Sequence, residues 1–107
     1  MDKLIIVGAG GLGRMTMESA MDIYECYFVD DGIEKETIIC DIKVIGKISD
    51  LKKFVNEYKN VIVAIGDNKF REVLTKKVLS YGYNIPTIIN KTAYISPYSK
   101  IGYGCPR

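Results

Sequence analysis

Apolar positions along this chain change rhythm several times, and each rhythm predicts an element. Leu4-Ile5-Ile6-Val7 is a short unbroken run, Leu12, Met15, Ser19, Ala20 and Ile23 then recur at helical spacing, and Tyr24 to Val29 is rich in β-forming residues. These segments predict a first strand, a helix and a second strand parallel to the first, because a crossover through a helix is right-handed. Residues 33–41 are mixed and polar apart from Ile38-Ile39, and Ile42 to Gly46 predicts a short strand or an edge excursion. Leu51, Phe54, Val55 and Tyr58 make the apolar stripe of a predicted helix with Ser49 or Asp50 as its N-cap. Asn60 to Ile65 predicts a fully buried strand closed by Gly66. From Lys69 to Tyr81, Phe70, Val73, Leu74, Val78 and Leu79 alternate with charges at helical spacing, and Gly82 stands where a C-terminal cap belongs. Asn84 to Asn90 predicts one more strand, with Pro86 marking an edge or a strand start. The order of elements predicts an α/β fold, an open parallel sheet with helices on both faces.

The last segment breaks this pattern. In Ala93 to Cys105, Ile95 and Ile101 stand six residues apart, and Gly102 follows the second isoleucine. Six-residue spacing of an aliphatic corner residue is the signature of hexapeptide β-helix repeats, in which stacked coils bury the corners. The sequence holds barely more than one such repeat before Arg107, and on composition alone a tyrosine-rich tail fits equally well.

The 107 residues predict one domain, short for a dinucleotide-dependent enzyme with its own substrate domain. A net charge of +2, with lysines scattered over several helix surfaces, argues against nucleic acid and anionic membranes as partners. Cys26, Cys40 and Cys105 are odd in number and widely spaced, and without histidine no zinc site is predicted. A reduced, cytoplasmic setting is the expectation, since the first apolar run is too short for a signal-peptide core.

Candidate chemistry gathers at strand ends. Gly8-Ala9-Gly10-Gly11-Leu12-Gly13 follows the first strand and opens the first helix, the layout of a nucleotide-phosphate site. Gly8 suits the tight turn, Gly10 or Gly11 lets backbone N–H groups approach a pyrophosphate, and Gly13 allows the helix to pack closely on the strand. At the end of the second strand, Asp30, seventeen residues after Gly13, and Asp31 offer carboxylates to a ribose or a base N–H, or serve as turn chemistry. Gly66 closes the central strand on the same edge and can let a ligand lie against the backbone; Asn68 is a candidate ligand contact or simply the cap of the next helix, and Arg71 could reach a phosphate or an acidic neighbour. No histidine, Cys-His pair, Walker lysine or GxSxG is present, so the chemistry points to binding rather than catalysis.

In order, VGAGGLGR, FVDD, VAIGDNKFR and IINKTAYISPYSKIGYGC resemble the sialic acid O-acetyltransferase family, NeuD/PglD-like, which includes bacterial amino-sugar N-acetyltransferases. The resemblance implies a Rossmann-like domain over residues 1–91 that binds a nucleotide-activated sugar, UDP- or CMP-linked. Residues 92–107 would then begin a left-handed β-helix that trimerises and holds acetyl-CoA. It further implies that Gly10, Gly11 and Leu12 contact the nucleotide sugar and that Asp30, Asp31 and Gly66 line the same pocket. Leu12 and Asn90 stand where some relatives have histidine. The general-base histidine and the acetyl-CoA site of the family would lie beyond Arg107. The expectation is therefore a nucleotide-sugar-binding domain with no bound cofactor and no acetyl transfer of its own. Two other readings stay open: an NAD(P)-binding oxidoreductase domain, and a non-catalytic assembly module associating through Tyr94, Ile95, Tyr98, Ile101 and Tyr103.

Overall fold

Strand β1, Asp2–Val7, is apolar on both faces because it lies inside the sheet and has helices on either side. The computed structural model describes residues 1–86, in which α1 (Gly11–Ala20), β2 (Tyr24–Val29), β3 (Ile38–Ile39), β4 (Ile42–Gly46), α2 (Leu51–Phe54), β5 (Asn60–Val63) and α3 (Asn68–Tyr81) follow β1. The sheet order is β3-β4-β2-β1-β5, parallel throughout except for the β3–β4 pair. Register along β1 is continuous on both sides, with Val7 opposite Val29 of β2 and Val63 of β5.

Alternation within β1 divides the core. Ile5 and Val7 pack with Val29, Leu51 of α2, Val61, and Leu74 and Val78 of α3. Leu4 and Ile6 pack on the other face with Met17 and Ala20 of α1, Phe28 and Val44. Helices on both faces are thus as expected, and the stripe of α1 is so in part, at Ser19 and Ala20. Gly13, Met17, Ser19 and Ala20 face the sheet, whereas Leu12 is 42% and Ile23 61% exposed. The close seat of Gly13 sets the rotation of the helix, and the residues one and two turns later follow it inward.

Residues 38–46 form a hairpin rather than an edge excursion. Cys40 and Asp41 both have positive φ, +52° and +68°, the backbone of a two-residue hairpin turn that matches strand twist. Its second arm, β4, joins β2 in parallel and buries Val44, Ile45 and Gly46.

The predicted helix from Leu51 to Tyr58 shrinks to one turn. A 3₁₀ turn over Ile48–Asp50 precedes it, and the Asp50 carboxylate accepts the Lys47 N–H at 3.0 Å instead of capping α2. That backbone hydrogen bond is the main cause holding the Asp50 carboxyl below its usual range.

At α3 the expected cap moves by one residue. Asp67 has extended backbone and its Oδ1 accepts the Phe70 N–H at 3.0 Å, so Asn68 is the first helical residue. Gly82 closes the helix in the left-handed region, φ +105°, as expected. Asp67→Ala is predicted to cost about 1 kcal/mol in urea denaturation, the worth of an N-cap side chain. No change in midpoint would remove Asp67 from that role.

After α3, Asn84 makes a single parallel bridge to Asn60 of β5. Residues 87–90 of the strand predicted from Asn84 to Asn90, the boundary at residue 91, and the six-residue repeat with Ile95 and Ile101 lie outside the described residues.

Candidate nucleotide site at the sheet edge

From β1 the chain goes to β2 and β4 on one side and later to β5 on the other. The carboxyl ends of β1 and β5 therefore flank a topological switch point, the place where open α/β sheets take ligands. Gly8 turns the chain off β1 with φ +104°, and a Cβ there would stand 2.7 Å from the Ala64 carbonyl oxygen beyond β5. A Cβ on Gly13 would lie 1.7 Å from the Gly8 carbonyl oxygen, so α1 rests directly on the turn. Gly10 and Gly66 differ from these two. A Cβ at either meets no atom within 4 Å, and both positions open outward.

The amino end of α1 carries no cap. Gly10 is extended, no side-chain cap hydrogen bond is made, and the first turn has no acidic residue. The first intrahelical bond runs from the Arg14 N–H to the Gly10 carbonyl at 2.9 Å, so the amides of Gly11, Leu12 and Gly13 precede the helix ladder. By contrast α3, rising from the same edge, closes its amino end with its own Asp67. Only α1 of these two presents its amide groups and positive dipole end to a ligand.

Asp30 meets the glycine loop directly. Its Oδ2 accepts the Ala9 N–H at 2.8 Å and its Oδ1 accepts the Gly32 N–H at 2.8 Å. Asp31 turns to the neighbouring loop, where its Oδ1 accepts the Ile48 N–H at 2.8 Å and its carbonyl accepts from Lys47 Nζ at 3.2 Å. The structure thus brings Gly8, Gly10, Gly11, Leu12, Gly13 and Asp30 together, while Asp31 is engaged on the β4 side. Arg71 is bonded to its own loop and helix start. Its guanidinium donates to Asn68 Oδ1 at 2.6 Å and, more weakly, to the Ile65 carbonyl at 3.5 Å, which ties Asn68 to the β5–α3 loop.

One participant escaped the sequence reading. Arg14 folds back toward the start of α1 and its Nε donates to the Ala9 carbonyl at 3.3 Å. The available signal was positional, since helical side chains lean toward the N-terminus and a residue in the first turn overlies the loop before it.

Among the described residues no group of histidine, cysteine and carboxylates could hold a metal ion, and no helix is long and apolar enough to cross a membrane. Burial pushes the Cys26 thiol up to about 11, far from a nucleophilic thiolate.

Residues 3–78 match the sequence profile of the PglD N-terminal domain. The chain belongs to the PglD N-terminal domain family. The matched span takes in the glycine loop, Asp30-Asp31 and Gly66-Asp67-Asn68, so every candidate residue of this PglD-type domain lies within it.

Solved structures agree in fold. The acetyltransferase domain of PglB from Neisseria gonorrhoeae, in complex with acetyl coenzyme A, is 31% identical with a TM-score of 0.72. The match covers 82% of this chain and 43% of that one. A perosamine N-acetyltransferase from Caulobacter crescentus, in complex with CoA and GDP-perosamine, is 24% identical at a TM-score of 0.69, covering 78% of this chain and 40% of that one. UDP-D-quinovosamine 4-dehydrogenase from Vibrio fischeri, 19% identical, has a TM-score of 0.66 and covers 94% of this chain and 88% of that one. At those identities the last two speak for the fold alone. The chain spans less than half the length of the acetyltransferase structures it matches.

Proposed function

We propose that this PglD-type domain binds a nucleotide-activated sugar, with the diphosphate on the amino end of α1, as the substrate-binding part of a sugar acetyltransferase. The observation that carries the reading is the uncapped α1 amino end, placed at the switch point beside the open position of Gly10. Diphosphate oxygens are acceptors only, and the amides of Gly11, Leu12 and Gly13 are donors without intrahelical acceptors. Gly66, open on the opposite lip, leaves room for a group to lie against the backbone. Both Asp30 oxygens already accept backbone N–H groups, which weakens the case for the dinucleotide alternative that needs this acid on a ribose.

Acetyl-CoA would be held outside this domain, by the β-helix that the family resemblance implies. This chain contains no histidine to act as general base. Its own part is to seize the nucleotide and hold the sugar outward.

Thermal shift against GDP-, UDP- and CMP-sugars, with NADH as competitor class, tests the reading. A ligand at about 100 times its dissociation constant adds roughly 2.7 kcal/mol to stability, a shift of several degrees for a domain of this size. A shift with at least one nucleotide sugar and none with NADH is expected. A shift with NADH alone would overturn the proposal.

A further inference from the structure

Four of the six residues from Gly8 to Gly13 are glycine, a composition that leaves the free loop many conformations and makes ordering it on a ligand costly. Ala9, its second residue, is nevertheless held from both directions. Its N–H donates to Asp30 Oδ2 at 2.8 Å, and its carbonyl accepts from Arg14 Nε at 3.3 Å. Ala9 is 1% exposed, so neither group has water to fall back on. Asp30 is itself fixed. Its backbone N–H donates to the Gly46 carbonyl at 3.1 Å, and its second carboxylate oxygen accepts from Gly32 at 2.8 Å.

We propose that Asp30 is a positioning residue of the nucleotide site: with Arg14 it clamps the Ala9 residue so that the amides of Gly11, Leu12 and Gly13 are aimed before any ligand arrives. This rests on the diphosphate reading above and changes what the acid at the end of β2 does. Both its oxygens hold backbone, and the proposal carries its effect on affinity through the loop rather than through a ribose hydroxyl. A loop set in advance loses little freedom on binding, which is how preorganisation raises affinity.

The test uses the 107-residue chain and separates the clamp from the ligand. In the unaltered protein without ligand, the Ala9 amide should show a through-hydrogen-bond scalar coupling to the Asp30 side-chain carboxyl carbon and slow hydrogen exchange. Asp30→Asn, which presents at most one acceptor oxygen, should speed Ala9 exchange about 10-fold or more, with the Ile5 and Val61 amides unchanged. Absence of the coupling, or unchanged Ala9 exchange in the variant, overturns the clamp even if no nucleotide ever binds. Affinities for UDP and GDP, each compared with its 2′,3′-dideoxy form, decide the role in binding. A positioning residue predicts the same loss, about 10-fold, for ribose and dideoxyribose ligands and for inorganic pyrophosphate alike. A loss confined to the ribose forms, or one absent with pyrophosphate, would make Asp30 a ribose or base contact and overturn the proposal. If neither nucleotide binds the unaltered chain, the diphosphate reading fails while the exchange data still judge the clamp.

Discussion

Gly13→Ala is expected to destabilise the domain by about 3 kcal/mol or more, enough to leave a domain of this size partly unfolded. Two effects oppose each other at this position. Helix propensity favours alanine over glycine by about 1 kcal/mol, so an isolated helix would gain from the change. The added Cβ, however, would lie 1.7 Å from the Gly8 carbonyl oxygen and 2.8 Å from its carbonyl carbon, and these are backbone atoms that cannot swing aside. α1 would have to lift from the sheet, and with it Met17 and Ala20, which are 1% and 0% exposed. Lost packing of that kind outweighs the propensity gain. Urea denaturation with circular dichroism reads the result. A variant as stable as the parent would mean that α1 does not sit where it is described.

Gly10→Val should do the reverse, leaving the fold and removing the ligand. The Gly10 backbone, φ −80° and ψ −159°, is extended with negative φ, at the edge of the region open to residues with a Cβ, and its Cβ would meet nothing within 4 Å. The cost to stability should stay near 1 kcal/mol, the preference for glycine over valine at an N-cap. The new methyls would occupy the space over the first-turn amides, and a diphosphate could no longer reach them. Affinity for nucleotide sugars should fall 100-fold or more in calorimetry, since several charge-assisted hydrogen bonds are lost together. Binding kept within 3-fold of the parent would place the diphosphate elsewhere. Gly10 and Gly13 are three residues apart in one motif, and they separate ligand access from helix seating.

How much of this was legible in the sequence depended on how local the signal was. The run Leu4 to Val7 followed by spaced glycines identified β1, the turn and α1, because strand burial, positive φ and close packing each demand a residue type. Gly82 marked the end of α3 for the same reason. The β3–β4 hairpin was hidden, since its turn places Cys40 and Asp41 at positive φ where Asn-Gly would have announced it. The face of α1 was read correctly at Ser19 and Ala20 but not at Leu12, because its rotation is decided by Gly13, which contributes no hydrophobicity to a periodic pattern. Asp67 and Asn68 are both good caps, and adjacent candidates are told apart only by backbone angles. For Asp30, the sequence shows an acid at a strand end. Its partner is 21 residues away across the sheet edge, a distance that no spacing rule resolves.

The short antiparallel strand β3 bears on association rather than on ligands. A long unpaired outer strand offers its backbone groups to another molecule's strand, and parallel sheets of apolar residues are exposed to this hazard. Here the β4 side of the sheet ends in two residues, Ile38 and Ile39, with the exposed ion pair of Lys43 and Glu36 at 3.3 Å beside them. Two residues cannot template a stable ladder, and charges next to them oppose apolar stacking. That margin of the domain is thereby kept from growing by adding copies of itself.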